Sequence, residues 1–113
     1  MNAEPVYKLL TEEDWLAAEV SGVTATALDL ADGYVHLSTG SQVRETARRH
    51  YSGHPRVRLL RFRLDGLGDV RWETSRGGDL FPHLYGPLEI TRAEAAIWLK
   101  PGPDGAPLIP GDF

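Results

Sequence analysis

Between Val57 and Tyr85 three strand-like segments follow one another, VRLLRFRL (Val57 to Leu64), VRWE (Val70 to Glu73) and FPHLY (Phe81 to Tyr85). The links between them, residues 65–69 and 74–80, are too short for the helical crossover that parallel neighbours require. Antiparallel pairing is what such a chain can form, and the expected class is α+β, not a doubly wound sheet. The first of these segments alternates from Leu60 onward. Leu60, Phe62 and Leu64 are expected on one face and Arg61 and Arg63 on the other, a strand with one charged side. If Phe81 to Tyr85 is extended, Phe81, His83 and Tyr85 project together, and Pro82 and Pro87 argue for an edge or irregular stretch and against a central strand.

Upstream, Pro5 precedes VYKLL (Val6 to Leu10), read as a first strand. Thr11 then suits a helix N-cap, Glu12, Glu13 and Asp14 suit the positive end of a helix dipole, and Gly22 suits the stop. Trp15, Leu16 and Val20 read as that helix's apolar stripe. A polar, Thr-rich connection leads to a turn at Asp32-Gly33, followed by YVHLS with Tyr34, His36 and Ser38 on one face and Val35 and Leu37 on the core face. Ser41, or Thr39 with Gln42 three residues on, caps a second helix in which Val43, Ala47 and Tyr51 recur at spacing four. AAIWL (Ala95 to Leu99) is the last strand. The expected architecture is a small single domain over residues 1–100, a bent mixed or antiparallel sheet with two helices, and a Pro/Gly-rich tail over residues 101–113 that drapes over the domain or moves freely.

At 113 residues and 12.5 kDa one domain is expected, with roughly 12,000 Å² of surface buried on folding. The chain has no cysteine, which removes disulfides, thiolate metal sites and thiol nucleophiles. It contains neither a signal-like start nor a long apolar run, so a cytoplasmic protein with no membrane contact is expected. The net charge of −4 is unevenly spread: from Arg44 to Arg76 nine basic residues face four acidic ones. Ten of the twelve basic residues are arginine, whose planar fork suits phosphate or carboxylate, so a small anionic ligand is permitted, the alternative being a source that favours Arg over Lys on a solvated face. A sequence pI near 5.5 disfavours duplex nucleic acid.

His50 and His54 stand four apart, but Gly53 and Pro55 take His54 off the helix, and no metal-ligand run is present; no metal is expected. Walker and dinucleotide glycine patterns are also absent. The polar face of YVHLS is either the solvated side of a sheet or a ligand wall. There His36 can anchor a hydroxyl or move a proton, with Ser38 and Thr39 orienting a ligand. His83 and Tyr85 form a second set of this kind, Tyr85 stacking on a base or packing at the core edge. Glu73 can serve as a general base, as a ribose acceptor, or as the partner of an arginine.

The motifs DGYVHLST (Asp32 to Thr39) and FPHLYGPL (Phe81 to Leu88), together with VYKLL, LLRFRLD and RWE, resemble the bacterial family catalogued as domain of unknown function 952. That family's fold is similar to the ADP-ribosyltransferases and RNA 2′-phosphotransferases, in which a split, strongly bent sheet clamps NAD or an ADP-ribose-like group. The resemblance implies an ADP-ribosyltransferase-like fold and transfer or hydrolysis at a nucleotide ribose, with NAD as a substrate. Its site would comprise His36, His83 and Glu73 as catalytic groups and Ser38, Thr39, Tyr85, Arg61 and Arg71 as ligand contacts. Lys8 stands where those relatives present a ligand-binding His. A non-catalytic ligand sensor and a protein-interaction module are the rival readings.

Overall fold

A computed structural model describes residues 4–113, the side chain of Arg76 excepted. The chain begins with strand β1 (Pro5–Thr11), which runs into helix α1 (Glu12–Ser21). The Thr11 hydroxyl accepts the Asp14 N–H at 3.1 Å, three acids fill the first turn, and Gly22 closes the helix at φ +89°. The expected apolar stripe of α1 is displaced: Val20 is 91% exposed and Leu16 is exposed, whereas Ala18 is fully buried and Trp15 packs on the core. The buried face runs through Trp15 and Ala18, an i, i+3 pair.

The Thr-rich connection contains a helix that the sequence reading left out, α2 (Ala27–Asp32), so the described residues hold three α-helices and not two. The Thr26 hydroxyl accepts the Asp29 N–H at 3.1 Å, and Gly33, at φ +83°, ends the helix. Strands β2 (Val35–His36) and β3 (Ser38–Thr39) follow, then α3 (Val43–Tyr51). Gln42 precedes α3 without a side-chain cap; its Oε1 instead accepts the Thr39 N–H at 3.0 Å, the reverse half of the expected capping box. The remaining strands are β4 (Val57–Arg63), β5 (Val70–Thr74), β6 (Leu80–Leu84) and β7 (Ala95–Leu99).

These strands form two antiparallel sheets, in place of the one bent sheet expected: a four-stranded sheet in the order β3-β1-β4-β7 and a three-stranded sheet in the order β2-β6-β5. The chain changes sheet at Leu37, whose N–H donates to the Pro82 carbonyl at 3.1 Å before Ser38 pairs with Tyr7. His36 and Ser38 therefore lie in different sheets. β6 is the central strand of the smaller sheet despite Pro82. The register sets Pro82 opposite Leu37 just as β2 ends, so the donor that proline lacks would have served only the ladder's last rung.

β1 and β4 pair over their whole lengths and are buried on both faces. Val6, Leu10, Leu60 and Phe62 meet Val35, Leu37, Leu84 and Leu88 from the smaller sheet. On the opposite side Tyr7, Leu9, Val57 and Leu59 pack under Val43 and Ala47 of α3. The second face of β4 carries Val57 and Leu59 and then, as expected, Arg61 and Arg63, so it is apolar where α3 packs and charged only toward its end, and Leu64 leaves the strand for a short 3-10 turn. Residues beyond 100 cover this face, with Ile109 and Phe113 packed on it and the Tyr7 hydroxyl donating to the Phe113 carbonyl at 3.0 Å. No helix of the described residues is long and apolar enough to cross a membrane.

Candidate functional site

The smaller sheet has one apolar face, with Val35, Leu84 and Val70 turned to the core. Its other face collects the chemistry. The register aligns His36 with His83 and His83 with Arg71, and Glu73 lies opposite Phe81. With a side-chain period of two, His36, His83, Arg71, Glu73 and Phe81 all point the same way. Tyr34 and Tyr85, just beyond the paired residues, join them. The Tyr34 ring stacks on His83 at 4.2 Å between centroids, and its centroid lies 4.6 Å from His36 and 5.3 Å from Tyr85.

Each histidine is held by carboxylate. His83 is 2% exposed, and its Nδ1–H donates to Glu73 Oε1 at 2.7 Å; the same oxygen accepts the Tyr85 hydroxyl at 2.8 Å. A carboxylate can only accept, so Nδ1 carries a proton, and in the neutral form of the ring the lone pair falls to Nε2. Nε2 has no hydrogen-bond partner among the described residues. The hydrogen bonds from His83 and Tyr85 hold the Glu73 carboxyl below the ordinary range, and the bond to Glu73 raises the Tyr85 phenol.

His36 sits differently. Its Nδ1 is 2.6 Å from Asp29 Oδ1 and its Nε2 3.0 Å from Asp32 Oδ2, so both ring nitrogens are committed. Asp29 is the node of this half of the site. Buried in α2, it also accepts the His36 backbone N–H at 3.1 Å and the Lys8 ammonium at 2.7 Å, and Lys8 reaches the His36 carbonyl at 3.0 Å. Burial alone would raise the Asp29 carboxyl; the His36 ring and the Lys8 charge outweigh it and hold the group below its usual range. Burial pushes the Lys8 amine down against the attraction of Asp29. The Tyr34 phenol is raised by desolvation and by the carboxylates of Asp32, Glu73 and Asp29.

These groups wall a cleft of about 730 Å³ where the two sheets part, with β1 and α3 opposite β2 and β6. Lys8, Asp32, Tyr34, His36, Ser38 and His83 line it, along with Arg49 and Tyr51 of α3. The Tyr51 hydroxyl donates to the Leu9 carbonyl at 2.9 Å, and burial raises its phenol well above the ordinary value.

Of the residues singled out from the sequence, His36, Ser38 and His83 line the cleft. Glu73, Tyr85 and Arg71 belong to the same sheet face beside it, with Arg71 4.2 Å over the Tyr85 ring and paired to Asp69 at 2.9 Å. The Ser38 hydroxyl bonds that of Thr46 at 3.1 Å. Thr39 serves the start of α3, its hydroxyl 3.1 Å from that of Ser41. Arg61 stands apart, paired with Glu94 at 3.1 Å and stacked on Phe113. Sequence reasoning missed Asp29, Asp32 and Arg49. The signal for Asp29 was Thr26-x-x-Asp29 with Gly33 beyond it, a capping pattern that announces α2. Among the described residues no group of three or more histidines and carboxylates has the geometry to hold a metal ion.

The model of the family described as protein of unknown function (DUF952) matches residues 9–96. The chain belongs to the DUF952 family. Among solved structures it is similar to protein CC0527 from Caulobacter crescentus, a structural-genomics target: in the crystal structure the two share 42% identity over 92% of this chain and 93% of that one, with a TM-score of 0.87. A crystal structure of a double mutant of CC0527 gives 40% identity over the same shares at a TM-score of 0.86, and its solution NMR structure gives 42% over 91% and 90% at 0.80. No match was found among curated proteins. For DUF952 members, then, chemistry has to be argued from the site.

Proposed function

We propose that this DUF952 protein binds a nucleotide-class ligand in the cleft between its sheets and that His83, set by Glu73, is the group that transfers a proton there. The observation that carries this reading is the Glu73–His83 hydrogen bond of 2.7 Å, which leaves Nε2 of this buried ring without a hydrogen-bond partner among the described residues, at the lining of a cleft of about 730 Å³. A carboxylate behind a histidine fixes its tautomer and steadies the positive charge that forms when the far nitrogen takes a proton. Cleft volume and lining are those of a small-molecule site.

The ligand class follows from the rest of the wall. Tyr34 offers a stacking surface for a flat ring, the Asp32 carboxylate, 40% exposed, can accept from ribose hydroxyls, and Arg49, whose Nε is paired with Glu45 at 2.7 Å, is the arginine on the cleft lining that a phosphate would meet. Because Asp29 and Asp32 occupy both nitrogens of His36, that ring orients Asp32 and is not itself the hydroxyl anchor. A split between two antiparallel sheets is also where the resemblance to ADP-ribosyltransferases sets NAD, so NAD and ADP-ribose head the candidates, with transfer or hydrolysis at the ribose as the reaction.

Calorimetric titration with NAD, ADP-ribose and a 2′-phosphorylated dinucleotide at low salt tests this. Saturable heat with at least one of them, weakened about tenfold or more in Arg49→Ala, is expected, as is turnover that Glu73→Gln lowers by roughly 10²-fold. Binding with no turnover in the wild type would leave a sensor. Absence of heat with all three would sink the nucleotide reading.

A further inference from the structure

Lys8 is a nucleophile in waiting that proton transfer at His83 does not use. It is one of only two lysines in the chain, the other being Lys100 on the surface. Lys8 projects from β1 into the seam between the sheets, 4% exposed, on the lining of the cleft. Two partners fix its Nζ, Asp29 Oδ2 at 2.7 Å and the His36 carbonyl at 3.0 Å, while an ammonium has three hydrogens to give. The neighbouring groups complete a set that carbonyl chemistry can use: a carboxylate in contact with the amine, and an imidazole bridged to the exposed Asp32. Desolvated lysines beside a ligand cavity are the ones that form imines, because burial favours the neutral, nucleophilic amine.

We infer that Lys8 captures an aldehyde in the cleft as a Schiff base, the substrate class being a phosphorylated aldehyde or the open-chain form of an aldose phosphate. The inference rests on the cleft's being a ligand site and not on His83's role in it. In the step, neutral Nζ adds to the carbonyl carbon; the N–C bond forms as the C=O π pair moves to oxygen. That oxygen takes up the proton released from nitrogen, passed by Asp29, and then a second proton from the His36–Asp32 pair. It leaves as water while the nitrogen lone pair closes the C=N bond, and solvent returns the second proton. No oxidant or reductant is involved. Arg49 lines the cleft with its Nε paired to Glu45 at 2.7 Å, and the rest of its guanidinium is the cation offered to the phosphate.

The probe is pyridoxal 5′-phosphate, a phosphorylated aldehyde, added to the full chain at about pH 7.5 and fixed with borohydride, with the adducts mapped by mass spectrometry after digestion. Lys100, exposed on the surface, serves as the internal control. The expected result is an adduct on Lys8 at several times the occupancy of Lys100, and its loss in Lys8→Arg, a variant that keeps the cation beside Asp29 but cannot form an imine. Labelling of Lys100 or the α-amino group without Lys8 overturns the inference. So does labelling of Lys8 that appears only in urea or that follows the same pH curve as Lys100. Nucleotide titrations read the cleft independently: an adduct at Lys8 without nucleotide binding would refute the proposed function and keep this inference, and the converse result would do the opposite.

Discussion

Replacing Asp29 with Asn removes the carboxylate in contact with the buried Lys8 ammonium, and this sets both the size and the pH dependence of the penalty. Lys8 Nζ is 2.7 Å from Asp29 Oδ2 and nearly without solvent, so the variant must either keep an unpaired charge in the core or release its proton. Breaking a buried pair in this way costs about 3–5 kcal/mol. Deprotonation sets a ceiling: a lysine of pKa about 10.4 gives up its proton at pH 7 for about 4.6 kcal/mol, and at pH 9 for about 1.9 kcal/mol. The sign follows from linkage. In the variant the folded state binds fewer protons than the unfolded state across this range, so its stability rises with pH relative to wild type. Urea denaturation should therefore show Asp29→Asn destabilised by about 3–5 kcal/mol at pH 7 and by about 2 kcal/mol at pH 9. Lys8→Met should cost less, about 1–3 kcal/mol, because Asp29 keeps two donors from His36. A penalty for Asp29→Asn that is below about 1 kcal/mol, or that does not change with pH, would refute the reasoning.

Three further outcomes are expected. Gly33→Ala should cost about 1–2 kcal/mol in a melting experiment: the residue sits at φ +83° with nothing within 4 Å of the added carbon, so the penalty is conformational alone, and no loss would show that the turn relaxes. Val20→Lys should leave stability within about 0.5 kcal/mol by urea titration, given the 91% exposure of Val20, and a larger loss would mean that α1 buries a different face. Because the Asp29 carboxyl is held below its ordinary value, the unfolded chain binds the extra proton as pH drops; stability should fall below about pH 5, and less steeply in Asp29→Asn, as judged by acid titration of the tryptophan fluorescence.

Legibility from sequence followed the range of the interactions. β1, β4, β5 and β7 and the start and stop of α1 rest on local patterns, and they lie where those patterns place them. Period two also brought Phe81, His83 and Tyr85 to one face, and Tyr34 with His36, so the sheet face that carries the site was readable. What escaped reading depends on partners far along the chain. Pro82 argued locally for an edge, yet β6 is central because β2 is only two residues long and ends opposite it. The switch of sheets at Leu37 is decided by pairing with Tyr7 and Pro82, thirty and forty-five positions away in sequence, and it separates Ser38 from His36. Val20 belongs to an apolar spacing that packing does not use. Asp29 is a surface residue by type and the buried hub of the site by structure, because Lys8 of β1 and His36 of β2 converge on it. Charge patterning pointed to Arg61, which its partner Glu94 turns elsewhere, and passed over Arg49, which the third helix brings to the cleft.

The most direct measurement is the ¹⁵N spectrum of the His83 imidazole, at a pH where the ring is neutral, without and with ADP-ribose. In the free protein Nδ1 should show the protonated-type shift and Nε2 the lone-pair type, the pattern should blur into a tautomer mixture in Glu73→Gln, and added ligand should move Nε2 while leaving Nδ1 on Glu73. A proton on Nε2 in the free protein, or an Nε2 resonance unmoved by ligand that calorimetry shows to be bound, would contradict a His83 poised by Glu73 to act on what the cleft holds.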